Sequence, residues 1–295
     1  MKSRFTACKC IGNTPLIKIS DKLYAKLETP NPSGSIKDRM ALYILDRAEE
    51  KGEIQPGATI VEATSGNTGI AFSMLAAERK YRMIVVMPSN MSTERKQMIK
   101  AFGAEIIEVG PGDFAGAVEK RDVLVKELNA FCPNQFANLD NIECHYKTTG
   151  QEIINQIPDD LEISAVVAGT GTGGTLMGLS QALLEKFPNC KTVAVEPTES
   201  AVMSGGEPGE HFIQGIGDGF IPDLVDMKKV DEVVTVSSEE SLQRMKELTK
   251  EQALLVGISS GANVAAAEKY IKNYNPNGIV VTVLADRQER YLSML

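Results

Sequence analysis

Short apolar runs alternate along the chain with longer segments whose apolar positions recur every three or four residues. The runs Thr59-Ile60-Val61, Ile84 to Met87, Ile106-Ile107-Glu108-Val109, Ala165 to Ala168, Val193-Ala194-Val195, Val233 to Val236 and Ile279 to Leu284 have strand length. Between them, segments such as Arg39 to Lys51 and Glu239 to Glu251 carry the helical period. Strands that read as continuous apolar runs are buried on both faces, so this alternation predicts an α/β fold of doubly wound, mostly parallel sheets. Leu16 to Ile19 and Leu23 to Leu27, joined by a short polar turn, predict a hairpin.

Pro133, Asn134, Asn138, Asp140 and Asn141 interrupt the pattern before a helix predicted to begin around His145. The expected organisation is a smaller N-terminal α/β domain over residues 1–140 and a larger C-terminal α/β domain over 141–295. The hairpin at about 14–30 is expected to cross to the other domain.

The length of 295 residues suits two medium domains around a cleft, and 43% hydrophobic with 24% charged residues excludes disordered and fibrous classes. A net charge of −8 leaves no basic face for nucleic acid. No apolar stretch approaches the roughly 18 residues of a membrane helix, and Met1-Lys2-Ser3-Arg4 has no apolar stretch behind it, so a cytoplasmic protein is expected. Five irregularly spaced cysteines suit reduced thiols. Cys8 and Cys10 form the one close pair, and His145 and His211 lack metal-like company, so no metal is expected.

Candidate chemistry concentrates in three Gly/Ser/Thr-rich turns beyond apolar runs, each predicted to open a helix: Glu62 to Gly69, Ala168 to Thr175 and Gly257 to Gly261. Backbone N–H groups at such helix starts bind anions, and open α/β sheets bind ligands beyond the carboxyl ends of their strands. Any one turn alone reads equally as a glycine-rich helix cap. Gly169, Gly171 and Gly174 also fit a dinucleotide fingerprint, with Glu196 at the end of a later strand as its ribose ligand. In Asn31-Pro32-Ser33-Gly34-Ser35-Ile36-Lys37-Asp38-Arg39, a lysine sits at a helix start behind a Gly/Pro-broken loop.

That segment, taken with Ile11-Gly12-Asn13-Thr14-Pro15-Leu16, Thr64 to Gly69, Lys147-Thr148-Thr149-Gly150, Gly171 to Thr175 and Gly257 to Gly261, resembles the cysteine synthase and cystathionine β-synthase family of fold-type II pyridoxal-phosphate enzymes. The similarity covers essentially the whole chain, in the family's order. It implies a tryptophan synthase β-like fold with the cofactor in the cleft between two domains.

The resemblance makes Lys37 the lysine that carries pyridoxal 5′-phosphate and Asn67 the partner of the ring's 3′-hydroxyl. Gly171, Thr172, Gly173, Gly174 and Thr175 match the phosphate cup, and Ser259 matches the hydroxyl that faces the pyridine nitrogen. Thr64, Ser65, Gly66, Thr68 and Gln135 match the groups that hold the substrate's α-carboxylate. The unaided chemistry agrees. Lys37 must be deprotonated to attack an aldehyde, which desolvation at a positive helix end favours. A helix start neutralises phosphate without arginine. A hydroxyl opposite the ring nitrogen holds no proton there, which favours β-elimination over transamination.

Two positions depart from the cysteine synthase pattern. Asp218, within Ile213 to Pro222, stands where those enzymes carry a small apolar residue. An acid there could activate water, or the residue could simply adopt a left-handed turn between two glycines. Asp286 stands where serine is usual. Neither the haem segment nor the regulatory domain of some cystathionine synthases is expected.

The expected reaction is therefore β-replacement through an aminoacrylate, forming cysteine and acetate from O-acetylserine and sulfide. The alternatives are a lyase or exchange enzyme that releases hydrogen sulfide from cysteine and forms serine with Asp218, and a non-catalytic regulator. The expected partners are a small amino-acid substrate and sulfide, a second copy of the chain in a homodimer, and the C-terminal tail of serine acetyltransferase.

Overall fold

A computed structural model describes residues 6–64 and 66–294, the last without its side chain. In chain order the strands are β1 (Leu16–Ser20), β2 (Leu23–Leu27), β3 (Thr59–Ala63), β4 (Arg82–Pro88), β5 (Glu105–Val109), β6 (Ile163–Gly169), β7 (Lys191–Pro197), β8 (Glu232–Val236) and β9 (Ile279–Leu284). The α-helices are α1 (Lys37–Glu50), α2 (Asn67–Arg79), α3 (Thr93–Ala101), α4 (Phe114–Leu128), α5 (Asp140–His145), α6 (Gln151–Gln156), α7 (Gly174–Lys186), α8 (Ser238–Gln252) and α9 (Ile258–Tyr274). The chain divides into two units. One comprises Met1–Ile11, Asn31–Gln135 and Glu289–Leu295, the other Gly12–Pro30 and Phe136–Gln288.

The first unit holds a parallel sheet in the order β3-β4-β5. Successive β4 side chains enter opposite cores. Met83, Val85 and Met87 pack with Met40, Ile44, Leu45, Phe72 and Leu75 from α1 and α2. Ile84 and Val86 join Ala117 and Leu124 of α4. This two-sided burial is what the unbroken apolar run in the sequence requires. A short 3₁₀ helix, Gln288–Met294, belongs mainly to this unit.

The second unit holds a six-stranded sheet in the order β1-β2-β9-β6-β7-β8, parallel except for the β1/β2 hairpin. Every residue of β9 is buried, whereas the edge strands β1 and β8 are only partly covered. The helix expected around His145 starts earlier, at Asp140, whose N–H donates to Asn138 Oδ1 at 3.0 Å. Tyr146–Gly150 then forms a π-turn that contains the whole of the Lys147-to-Gly150 motif. Among the described residues, no helix is long and apolar enough to cross a membrane.

Two kinds of helix start stand out. Ser92, Asp113 and Ser237 cap α3, α4 and α8 with side-chain acceptors, the last in a capping box with Glu240. By contrast, α2, α7 and α9 begin after Gly66, Gly173 and Gly257, which offer no side chain to their first N–H groups.

Candidate active site

In the first unit Lys37 is the opening residue of α1 and is half-buried. The loop ahead of it is fixed from within. Buried Asp38 accepts from the Ser33 N–H at 2.7 Å and from the Ser33 hydroxyl, and the Lys37 N–H donates to Ser35 Oγ at 3.3 Å.

Thr64 follows β3 directly, Gly66 precedes α2, and Asn67 and Thr68 open that helix. Ser65 lies outside the described residues. The Gly66 N–H donates to Thr64 Oγ1 at 3.2 Å. A Cβ on Gly66 would lie 2.4 Å from Cδ of buried Arg95, so only glycine fits. Gln135 is far away in sequence but joins this turn: its Oε1 accepts from Thr68 Oγ1 at 2.6 Å, and its Nε2 donates to the Ala63 carbonyl at 3.3 Å.

Beneath the turn lies Glu62, fully buried, the first residue of the Glu62-to-Gly69 segment and one to which the sequence assigns no role of its own. Its carboxylate accepts from the N–H groups of Ala63 (2.9 Å) and Gln135 (3.2 Å), with Arg121 Nη1 at 3.6 Å. Desolvation outweighs these contacts and pushes the Glu62 carboxyl up from 4.5 to about 7.

In the second unit, Gly171, Thr172 and Gly173 form the loop from β6 to α7, and Gly174 and Thr175 open the helix. The crowding here demands glycine. A Cβ would come within 2.3 Å of the Gly215 carbonyl oxygen at Gly171, 2.4 Å of Val225 Cγ2 at Gly173 and 2.1 Å of Asn141 Oδ1 at Gly174; Gly173 also has φ +84°. Side chains from α5 reach the two threonines: Asn141 Nδ2 donates to Thr172 Oγ1 at 3.0 Å, and His145 Nε2 lies 3.3 Å from Thr175 Oγ1. The buried hydroxyl of Thr170 has no hydrogen-bond partner among the described residues. A helix start whose N-cap, Gly173, has no side chain and whose first N–H meets only the Thr172 hydroxyl at 3.4 Å, a tight glycine backbone and an orphaned hydroxyl fit a phosphate group.

Ser259 is the second residue of α9 and is buried. One turn on, Asn263 links its helix to the β6 end: its Nδ2 donates to the Val283 carbonyl at 2.8 Å, and its Oδ1 accepts from the Gly169 N–H at 2.7 Å. The apolar run before this third turn is no strand, since Val256 makes only an isolated bridge to Arg287. Asp286 is buried beside this turn, and its carbonyl accepts from the Gly257 N–H at 3.0 Å.

Asp218 is half-buried in the connection between β7 and β8. The left-handed backbone there belongs to Gly217 (φ +69°) and Gly219 (φ +85°); Asp218 is not among the described residues with positive φ. His211 accepts the Ile213 N–H at Nδ1, so its Nε2 carries the proton donated to the Gly217 carbonyl at 2.8 Å. Glu196, the ribose ligand of a dinucleotide reading, is taken up by its own loop. It accepts from the N–H groups of Met203 and Ser204 and from the Ser204 hydroxyl, at 2.8, 2.9 and 2.5 Å.

The parallel sheets, the lysine at a helix start and the glycine-built anion loop define a class. The chain belongs to the pyridoxal-phosphate dependent enzyme family, whose model matches residues 8–286. More particularly, it is 44% identical over 292 residues to the cysteine synthase of Staphylococcus aureus, covering 96% of this chain and 94% of that protein. Among solved structures it is similar to a hydrogen sulfide-producing enzyme from Fusobacterium nucleatum, with 43% identity, 97% and 89% of the two chains covered and a TM-score of 0.92. It is similar as well to the O-acetylserine dependent cystathionine β-synthase of Helicobacter pylori, with 37% identity, 99% and 98% covered and a TM-score of 0.93. The chain is thus a pyridoxal-phosphate dependent enzyme of the cysteine synthase type.

Proposed function

We propose that the protein forms cysteine and acetate from O-acetylserine and sulfide, with Lys37 as the residue that carries the cofactor. The observation that supports this best is the start of α2, whose first N–H groups have no side-chain cap and lie beside a hydroxyl-and-amide frame of Thr68 and Gln135 tied to the Ala63 carbonyl, an arrangement next to Asn67 that suits an amino acid's carboxylate.

Bound pyridoxal phosphate supplies an electron sink that acidifies the substrate's α-carbon and loosens a leaving group on its β-carbon. Thr64, Ser65, Gly66, Thr68 and Gln135 hold the α-carboxylate, and Asn67 holds the cofactor's 3′-oxygen. Gly171 to Thr175 neutralise the phosphate through N–H groups and two hydroxyls. Ser259 would meet the ring nitrogen with a hydroxyl that leaves it unprotonated, which would favour loss of a group from the β-carbon over transamination. Lys37 Nζ, set free when the substrate's amine displaces it from the aldehyde carbon, would take the α-proton as acetate departs from the β-carbon. Hydrosulfide then adds at that carbon, and Lys37 returns the proton to the α-carbon.

A second reading has Asp218 deprotonate a water that adds in place of hydrosulfide, converting cysteine and water to serine and hydrogen sulfide. The negative φ of Asp218 favours it, because the residue is not required by the turn. We place the protein in the cytoplasm, in keeping with five cysteines that are all free. We propose it acts as a homodimer able to take the C-terminal tail of serine acetyltransferase, which light scattering and peptide titration would test.

Purified protein incubated separately with O-acetylserine plus sulfide, serine plus sulfide, and cysteine alone distinguishes these readings. Fastest cysteine formation in the first mixture supports the main proposal. Serine and sulfide formed mainly in the third would replace it with the second.

A further inference from the structure

Arg290 and Tyr291, on the 3₁₀ helix near the end of the chain, are buried in the first unit against residues far upstream. The Arg290 guanidinium donates through Nη1 to Asn67 Oδ1 and through Nη2 to the Ser33 carbonyl at 2.8 Å. One planar fork thus bridges the loop that leads to Lys37 and the turn that opens α2. The Arg290 carbonyl accepts from Ser92 Oγ at 3.1 Å, and Tyr291 Oη accepts from Arg95 Nη2 at 3.0 Å, with the Arg95 guanidinium 4.9 Å from the ring centroid. Ser293 is held in turn by Glu94, through its N–H and its hydroxyl, both at 2.7 Å. The guanidinium therefore sits in a fixed frame.

Arginine has only donors, and so the end of the Asn67 amide that meets it must be the oxygen. The nitrogen, a pure donor, is then the end turned to whatever Asn67 binds. We infer that Arg290 is a positioning residue that sets the polarity of Asn67, so that the cofactor's 3′-oxygen meets a donor and is held as phenolate rather than phenol. This rests on the reading of Asn67 as the partner of that oxygen. An amide released from Arg290 could rotate and offer its oxygen, which accepts a proton from a phenol and repels a phenolate. Lysine, with a point charge in place of the fork, could hold either Asn67 or Ser33 but not both with the same geometry.

The bound phenolate absorbs at longer wavelength than the neutral phenol, so the ratio of the two bands reads this polarity directly in the holoenzyme. Five proteins are compared: the parent, Asn67→Ala, Arg290→Met, the double variant of these two and Arg290→Lys, each titrated with pyridoxal 5′-phosphate. Arg290→Met is expected to shift the ratio toward the short-wavelength band and to weaken cofactor binding about tenfold, the scale of one charge-assisted hydrogen bond. In an Asn67→Ala background the same change should shift the ratio no further, because the two act as one unit. Arg290→Lys should fall between parent and Met, and it carries the test should the Met variant fail to fold. An unchanged ratio in Arg290→Met, or shifts that add fully in the double variant, would overturn the inference while leaving Asn67 in place. An unchanged ratio in Asn67→Ala would overturn the reading of Asn67 itself.

Discussion

His145 stands between two threonines, its Nε2 3.3 Å from Thr175 Oγ1 and its Nδ1 2.9 Å from Thr149 Oγ1. With Asn141 one helical turn away on Thr172, it fixes both hydroxyls of the proposed phosphate cup from behind. His145→Ala and Asn141→Ala should each raise the dissociation constant for pyridoxal 5′-phosphate by roughly 5- to 20-fold, the scale of one buried hydrogen bond. Titration followed by absorbance checks this, and unchanged affinity in both variants would leave the helix a purely structural neighbour.

Lys37 should be the sole site at which borohydride reduction fixes the cofactor covalently, since it alone has the role of carrying the aldehyde. Peptide mapping of the reduced protein locates the adduct. Lys37→Ala should bind cofactor loosely and lose turnover; an adduct on another lysine would discard the assignment.

Ser259→Asp tests electronics rather than packing. A carboxylate in that position would hold a proton on the ring nitrogen, and β-replacement should fall by more than cofactor affinity does. Turnover equal to that of the parent would reduce the Ser259 hydroxyl to a structural contact.

For Asp218→Ala, serine formation from cysteine should fall on the order of 10²–10⁴-fold, the usual scale for a positioned base, while cysteine formation from O-acetylserine and sulfide changes little. Both products are measured in both proteins. Parallel loss of the two activities, or loss of neither, argues that Asp218 has no part in water addition.

Glu62 gives the apo chain a pH signature. Its carboxyl is pushed from 4.5 to about 7, so the folded chain binds the proton more tightly than the unfolded chain. The resulting stability is fully present below 4.5 and is lost as pH rises through about 7, a fall on the order of 3 kcal/mol. Urea unfolding of the apo protein across that window should show the decline, and Glu62→Gln should remove that part of it. An identical pH profile in the variant would place the titration elsewhere.

Much of the fold could be read from the sequence because its strands are buried on both faces: the runs Ile84 to Met87 and Ile279 to Leu284 fall inside β4 and β9. Boundaries set by a single side chain were less visible, as at Asp140, where Asn138 starts the helix ahead of His145. Within the site, turns with glycines and hydroxyls announce themselves locally, and Thr68 and Gln135, named from a resemblance, do meet. The supporting residues were missed for a common reason. Glu62, Asn141, His145 and Arg290 carry no local pattern, and their partners lie up to 223 positions away. For His145 a trace existed: with Asn141 four residues earlier, it shares one face of a short helix.

The bond between Arg95 and Tyr291 spans 196 positions of sequence, and it bears on the order in which the molecule can be made. A chain leaving the ribosome exposes α1 to α4 and their sheet long before residues 289–294 exist to cover Arg95 and clasp Asn67. Domains ordinarily settle as they emerge, beginning with the first. Here the first unit must wait, with a buried-type arginine and the Asn67 turn still unclasped, until translation has nearly passed through the whole of the second. Shortening the chain by its final helix, or fusing a bulky partner there, is then an intervention on the Asn67 turn rather than on a remote tail.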